Sequence, residues 1–442
     1  MNVLAIDTDG VGLDFCYRCA EAGHKVKWFL RPAKPGEKAK DGRGFPGIER
    51  VDDWRPWMKW AKEGLVWVAH NAMYLNDLDR WREFGFPVFA PSYRSAQLEI
   101  NRGEGMRVLE QCGVPVPAYK TFKTLEEAEK FAYQASEAYV FKTLGDEEDK
   151  SLSTVSDSPA DMVETIRQWR AKGLKLKGPC MLQEKVDGIE MGVSGWMGPQ
   201  GFLDAKWNHN FEYKRLMPGD YGPNTGEQGT VIQYAKRSKL ADEVLKPLEQ
   251  YLLGLGHRGD LDVNCIIDKA GKPWVLEFTC RPGWPHHQIV QATHGKDPAL
   301  WMRELLEGRD ALEVSYDVAV GIVLTQPPYP EPSKDLARVE GLPIYGCEDV
   351  WDHIHPWQMM WAKGCDMDGD KIVEREIPKT TGDYIMVVSA TGKKVSQARE
   401  RCYEAAGSIR VKNLQLRNDV GADLEEKLPR LHKLGYCPEL EF

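Results

Sequence analysis

Lys214-Arg215, six further residues, and then Gly222-Pro223-Asn224-Thr225-Gly226-Glu227-Gln228-Gly229 make up the most telling stretch of the chain. Read as a turn, it offers a run of backbone N–H groups, one amide and one hydroxyl, with two cations approaching. That set suits a small anionic substrate held near a phosphate. Gly-Pro and Asn-Thr-Gly are also ordinary hairpin-tip material. The stretch therefore takes its meaning from a second segment about fifty residues further on.

That segment runs Gly259-Asp260-Leu261-Asp262-Val263-Asn264-Cys265-Ile266-Ile267, a polar turn from Asp268 to Pro273, then Trp274-Val275-Leu276-Glu277-Phe278-Thr279-Cys280-Arg281. Two apolar runs around Lys-Ala-Gly-Lys-Pro predict an antiparallel hairpin. Side chains alternate along a strand, so Asp262 shares a face with Asn264, and Glu277 shares one with Thr279. A turn centred between Ala270 and Gly271 sets Asn264 opposite Glu277 and Asp262 opposite Thr279. Such hard oxygen donors suit Mg²⁺ bridging nucleotide phosphates; the alternative is a Glu277 that points to water from a half-buried sheet. Upstream, the strand Ala138-Tyr139-Val140-Phe141-Lys142 ends in a lysine able to neutralise phosphate. The run Met181 to Val186, with Gln183 and Glu184, followed by Asp187-Gly188-Ile189-Glu190, offers an edge for adenine and a carboxylate for ribose hydroxyls. Lysines and glutamates at strand ends are also commonly just solvated.

In this order the motifs resemble the phosphoribosylamine–glycine ligases (glycinamide ribonucleotide synthetases) of the ATP-grasp superfamily. The Lys-Arg-x6-Gly-Pro-Asn-Thr-Gly spacing is similar to the family's, as are Lys142 and Lys150 with Gly145 between them, and Val275 to Arg281 with its metal-binding glutamate. Ala96-Gln97-Leu98-Glu99 looks like the family's link into the ATP-binding region, and Arg417-Asn418-Asp419-Val420-Gly421 like its closing segment. The resemblance implies a carboxylate (glycine in the family) that attacks the γ-phosphate of ATP, and an amine (phosphoribosylamine) that then attacks the acyl phosphate. It implies Lys142 and Lys150 on phosphate, Gln183, Glu184 and Val186 along adenine, and Glu190 on ribose. Glu277 with Asp262, Asn264 and Thr279 would hold Mg²⁺ or Mn²⁺. Arg281, Asn224 and Thr225 would orient the reacting groups, with Lys214, Arg215, Gly222 and Gly226 lining the substrate.

The chain also departs from the family's pattern. Thr279 stands where the family has asparagine, and residues 146–149 are four consecutive acids in a loop the family builds from Gly and Ala. The first turn, Asp7-Thr8-Asp9-Gly10-Val11-Gly12-Leu13-Asp14, is acidic where the family uses Gly, Arg and His for the phosphoribosyl group, and Ala69-His70-Asn71-Ala72-Met73-Tyr74-Leu75 replaces another family segment. Three aspartates near a sugar phosphate are unfavourable without compensating cations. A ligase using a different amine or carboxylate is therefore a second reading. A nucleotide-binding regulator without turnover is a third, resting on Thr279 and the acidic loop.

The 442 residues carry a net charge of −9, which argues against general binding to nucleic acid or anionic membranes. No apolar run is long enough to span a bilayer, and Met1 leads directly into a strand, so a cytoplasmic location is expected. Cys16 and Cys19 form a CxxC on a predicted helix with no second pair, which favours reduced core thiols among the ten cysteines. The expected fold is α/β and α+β multidomain. It comprises an N-terminal βαβ, Rossmann-like domain over 1–100, an ATP-grasp domain over 101–315 with its lid at about 120–190, and a C-terminal α+β domain over 316–442. The expected partners are small molecules, an amino acid and an amine, acted on by a monomer or homodimer.

Overall fold

The computed structural model describes residues 1–32, 39–70, 73–144, 152–331 and 338–442. Lys150, Gly145, the acids at 146–149, Asn71 and Ala72 lie outside the described residues.

The chain opens with strands β1 (Asn2–Asp7), β2 (Lys25–Leu30), β3 (Ile48–Val51), β4 (Leu65–Val68) and β5 (Val88–Phe89) in one parallel sheet ordered β3-β2-β1-β4-β5. Parallel strands are covered on both faces, which explains their uninterrupted apolar runs. Side-chain alternation divides β1 between two cores. Val3 and Ala5 join Phe15, Cys16 and Cys19 of helix Leu13–Glu21, whereas Leu4 and Ile6 pack with Trp54, Met58 and Leu78. Among the described residues, which include all ten cysteines, no disulfide is formed.

A second, antiparallel sheet follows, ordered β6-β9-β7-β8, from β6 (Tyr119–Phe122), β7 (Tyr139–Thr143), β8 (Thr154–Val155) and β9 (Cys180–Glu184). Helices Leu125–Ala132 and Pro159–Ala171 cover it, closing a core of Phe122, Leu125, Phe141, Met162, Ile166 and Leu182. Thr124 and Ser158 cap these helices by accepting from the backbone N–H of Glu127 and Asp161.

The third sheet has nine strands: β10 (Gly188–Gly198), β11 (Gly201–Phe202), β12 (Trp207–Met217), β13 (Tyr221–Ala235), β14 (Gly259–Asp268), β15 (Pro273–Thr279), β16 (Val318–Thr325), β17 (Ile354–Pro356) and, after the separate hairpin β18 (Met359–Asp368) and β19 (Lys371–Thr380), β20 (Tyr384–Gly392). Its order is β15-β14-β10-β12-β13-β16-β20-β17, with β11 beside β10. The pairing of β13 with β16 carries the sheet without a break across residue 315 into the C-terminal part of the chain. Helices Val395–Ser408 and Leu424–Lys433 close that end.

One local expectation is corrected. Gly222–Gly229 is not the turn but part of β13, and the tip lies at Pro218-Gly219-Asp220, where Gly219 (φ 68°) and Asp220 (φ 58°) take left-handed backbone. Four residues of β13, Thr225 to Gln228, stand opposite the single residue Lys214, a wide bulge that breaks the normal alternation of side chains.

Candidate active site

The β14–β15 hairpin aligns Asp262 with Thr279 and Asn264 with Glu277, the register expected from the sequence. Nearer the turn the pairing is Cys265 with Val275, so Leu276 is an extra, bulged residue in β15. The carbonyl of Leu276, shifted out of the ladder, accepts from Lys142 Nζ of the second sheet at 3.0 Å. The bulge thus keeps Glu277 in register and presents an acceptor to the lysine expected at phosphate.

Neighbouring strands hold the carboxylates in place. Asn210 Nδ2 donates to Asp262 Oδ2 at 2.6 Å and Asn264 Nδ2 donates to Glu212 Oε2 at 2.8 Å. Gly192 of β10 pairs with both Asn210 and Asn264, and a Cβ there would stand 2.1 Å from Asn210 Oδ1. Arg102 opens helix Arg102–Gln111 and pairs with Glu277 at 3.2 Å. Lys214 Nζ lies between Glu190 Oε1 at 2.8 Å and Glu212 Oε2 at 3.1 Å.

Electrostatics separate the two lysines. Burial lowers the Lys142 ammonium to about 8, opposed by the charge of Glu277 and reinforced by Arg102 and Lys214. Burial also works against charge on Lys214, but Glu190, Glu212 and Glu277 hold it well above the usual lysine value. Asp262 is pushed well above the carboxylate range by burial, then by Glu212 and Asp260.

Do these residues suit a divalent cation? Asp262 Oδ1 and Asn264 Oδ1 are buried and have no hydrogen-bond partner among the described residues. Two hard oxygens without a donor, beside the Glu277 carboxylate, are the donor chemistry Mg²⁺ requires. Among the described residues no group of three or more His, Cys, Asp and Glu side chains gathers for a metal. The set therefore depends on the Asn264 carbonyl and the partly buried Thr279 as well as the two acids.

The remaining expected residues fall in three places. Gln183 is buried with Nε2 3.7 Å from Met106 Sδ, and the N–H groups of Glu184 and Lys185 go to the carbonyls of Ala118 and Ala138. Val186 follows immediately, partly buried, at the end of this edge. Arg281 is held by Glu99 at 3.1 Å, and Glu99 also accepts from Cys280 N at 2.8 Å, tying the linking segment to the end of β15. On the β12–β13 hairpin, Asn224 pairs with Arg215, whose Nη1 donates to Gly222 O at 2.9 Å; Thr225 Oγ1 donates to Lys214 O at 2.8 Å. Asn224 and Gly226 are exposed.

The closing segment braces that hairpin: Arg417 Nη1 pairs with Asp220 at 2.8 Å, and Asp419 Oδ2 accepts from Gly219 N at 2.8 Å. Two motifs two hundred residues apart thus meet at one turn. Sequence reasoning missed Arg102, Asn210 and Glu212. The only local signal was a run of polar residues at alternate positions in β12, Asn208, Asn210, Glu212 and Lys214, where a buried strand should be apolar.

The acidic N-terminal turn is internally satisfied. Asp7, fully buried, accepts from the N–H groups of Asp9 (2.9 Å), Gly10 (3.0 Å) and Gly12 (2.7 Å), and from Trp28 Nε1 at 3.2 Å. Asp14 pairs with Arg18 at 2.9 Å and Asp9 lies 3.7 Å from His70. Asp7 itself fills the anion-binding concavity of the first strand–helix turn.

Comparison with known proteins agrees with this architecture. The family described as "Phosphoribosylglycinamide synthetase, ATP-grasp (A) domain" matches residues 105–287. The phosphoribosylamine–glycine ligase of Vibrio parahaemolyticus is 25% identical over 438 residues, covering 95% of this chain and 98% of the relative. That of Allochromatium vinosum is 26% identical over 445 residues, with the same coverage of 95% and 98%. In three dimensions the phosphoribosylamine–glycine ligase of Thermotoga maritima superposes with a TM-score of 0.72 at 21% identity, over 95% of this chain and 100% of the other. An L-amino acid ligase from Bacillus licheniformis gives 0.58 at 18% identity, over 93% and 98%. No helix among the described residues is long and apolar enough to cross a membrane. Residues 105–287 thus match an ATP-grasp domain, and over 95% of its length the chain is similar in sequence and fold to the phosphoribosylamine–glycine ligases.

Proposed function

We propose that the chain joins a carboxylate to an amine at the expense of ATP, through an acyl phosphate, in the manner of a phosphoribosylamine–glycine ligase of purine biosynthesis. The observation that carries this is the approach of Lys142, from the second sheet, to the bulged carbonyl of Leu276 beside Glu277. A phosphate-neutralising cation and a metal-type carboxylate are thereby gathered at one point between two sheets.

The carboxylate oxygen of the first substrate attacks the γ-phosphorus, the bond to the bridging oxygen breaks, and ADP leaves. The amine nitrogen then attacks the acyl carbon and phosphate departs. Such transfers need positioning and charge neutralisation more than a protein nucleophile. Lys142 in its charged form neutralises the phosphates, with Lys150 in the same role. Glu277, Asp262, Asn264 and Thr279 would hold Mg²⁺ or Mn²⁺, which neutralises phosphate charge when bound. Glu190 takes the ribose hydroxyls at the cost of its ion pair with Lys214. Gln183, Glu184 and Val186 border adenine. Arg281, fixed in direction by Glu99, orients the reacting carboxylate, and Asn224 and Thr225, with Arg215, Gly222 and Gly226, border the substrates. Closure over the site must exclude water, which would hydrolyse the acyl phosphate. The substrates are small molecules, and the protein works as a monomer or homodimer in the cytoplasm.

The test is ADP release with Mg²⁺ATP and glycine, with and without phosphoribosylamine generated in situ. Release that needs both supports the relatives' reaction; release with neither overturns it. A ligase for another amine is favoured by one observation: Asp7 fills the turn that the family resemblance assigns to a phosphoribosyl group.

A further inference from the structure

The bulge opposite Lys214 carries two buried side chains that the ATP half of the reaction does not use. Glu227 is 4% exposed and Gln228 fully buried, and neither Glu227 Oε1 nor Gln228 Oε1 has a hydrogen-bond partner among the described residues. Thr230 Oγ1, two residues further along the strand and fully buried, is also unpartnered. Glu227 stands in the bulge opposite Lys214, whose ammonium lies between Glu190 and Glu212, and Thr230 pairs directly with Glu212, which places this stretch of β13 beside the site. The buried hydroxyl of Tyr384, from the C-terminal part of the chain, likewise has no partner among the described residues.

Unpaired buried acceptors are costly. A divalent cation would satisfy Asp262 and Asn264 but would leave the acceptors of Glu227 and Gln228 in want of N–H donors. We infer that Glu227, flanked by Gln228, receives the amine substrate as an ammonium ion and takes a proton from it, which makes the chain a ligase for a basic, non-phosphorylated amine. This rests on the ligase reading above and sharpens its second form.

In the step, the ammonium passes one proton to the Glu227 carboxylate. The freed nitrogen lone pair forms the C–N bond to the acyl carbon. The C–O bond to phosphate breaks with its electron pair leaving on phosphate, which takes the second nitrogen proton. Burial, then the neighbouring charge of Glu212, raises the Glu227 carboxyl well above the usual range, which makes its carboxylate a stronger base once the ammonium stands beside it. A glycosylamine, weakly basic and already neutral, needs no such group. Asp7 closes the anion-binding turn that a sugar phosphate would use.

The test compares ethanolamine, 1,2-diaminoethane and phosphoribosylamine as second substrates with Mg²⁺ATP and glycine. Alongside it, the glycine-dependent exchange of isotope between the bridging and terminal oxygens of ATP reports acyl phosphate formation without any amine. The wild type should release ADP with a basic amine. Glu227→Gln should lower kcat/KM for that amine about 100-fold, leave the isotope exchange within twofold, and regain activity as pH rises and free amine accumulates. Glu227→Asp, which keeps the charge, should recover part of the loss. The inference is overturned by an unchanged amine dependence, by a rise in the KM for glycine instead, by equal loss of the exchange, or by a wild type that responds to phosphoribosylamine alone. A wild type with no carboxylate-dependent exchange sinks the ligase reading itself, a result distinct from all of these.

Discussion

Lys142 shows how one residue can be tuned by its surroundings. Its ordinary value of 10.5 falls to about 8 through burial, because the cation exchanges water for, among the described residues, the carbonyl of Leu276. The sign follows directly. Above pH 8 the free protein holds Lys142 increasingly neutral, whereas bound triphosphate favours the ammonium. ATP binding at pH 8.5 should therefore take up a proton, and affinity should fall as pH rises through 8. Calorimetry in two buffers of different ionisation enthalpy measures the uptake, which should disappear in Lys142→Met along with a rise of about tenfold or more in KM for ATP. An unchanged KM would remove Lys142 from the nucleotide site. Glu277 is tested separately. Glu277→Ala should reduce ADP formation by about 100-fold or more while circular dichroism and the unfolding transition show an intact fold; turnover like that of the wild type would exclude Glu277 as a metal ligand.

At the scale of elements, the site depends on three strands whose side chains interlock. Gly192 lies between Asn264 and Asn210, and a methyl group there would collide with the amide that holds Asp262. Gly192→Ala should destabilise the protein by about 1–3 kcal/mol, read by denaturant unfolding. Gly226→Ala, with nothing within 4 Å of the added Cβ, should stay within about 0.5 kcal/mol of the wild type. Equal effects from the two would mean that the strands yield where the geometry says they cannot. The β14–β15 register was legible because two apolar runs and a short polar turn leave little freedom, and strand parity then fixes which residues share a face. The Leu276 bulge was not legible, since the lysine that its displaced carbonyl meets comes from another sheet. The β12–β13 turn was misplaced for a different reason. Gly-Pro-Asn-Thr-Gly has turn composition, yet the left-handed backbone is taken just upstream at Gly219 and Asp220, where Arg417 and Asp419 clasp it from two hundred residues away.

For the whole molecule, the resemblance visible in the motifs extends to the architecture, because the candidate site residues lie on two sheets, the second and the nine-stranded one, that must meet. Arg102 and Glu212 escaped notice since each becomes meaningful only through a partner distant in sequence: one begins a helix and pairs with β15, the other, on β12, accepts from Asn264 of β14. The second sheet, residues 119–184, closes a core of its own. Its recorded polar contacts with the rest include Lys142 to Leu276 O, Ser153 to Arg102 at 3.2 Å, and Gln183 to Met106. A unit with a private core and few ties can move against its neighbours without losing internal packing. Of the two chain connections, Gly188 is pinned, since a Cβ there would meet Ile267 O at 2.2 Å, while Gly113 (φ +73°) has open space around it. Movement should therefore be absorbed on the Gly113 side. A non-hydrolysable Mg²⁺ATP analogue, drawn to Lys142 on one side and Glu277 on the other, should pull the unit inward. Amide exchange in β7 and β9 should then slow on adding the analogue to the wild type, and not in Lys142→Met. Exchange in β7 and β9 unaffected by saturating analogue in the wild type would mean that the nucleotide is held by the nine-stranded sheet alone.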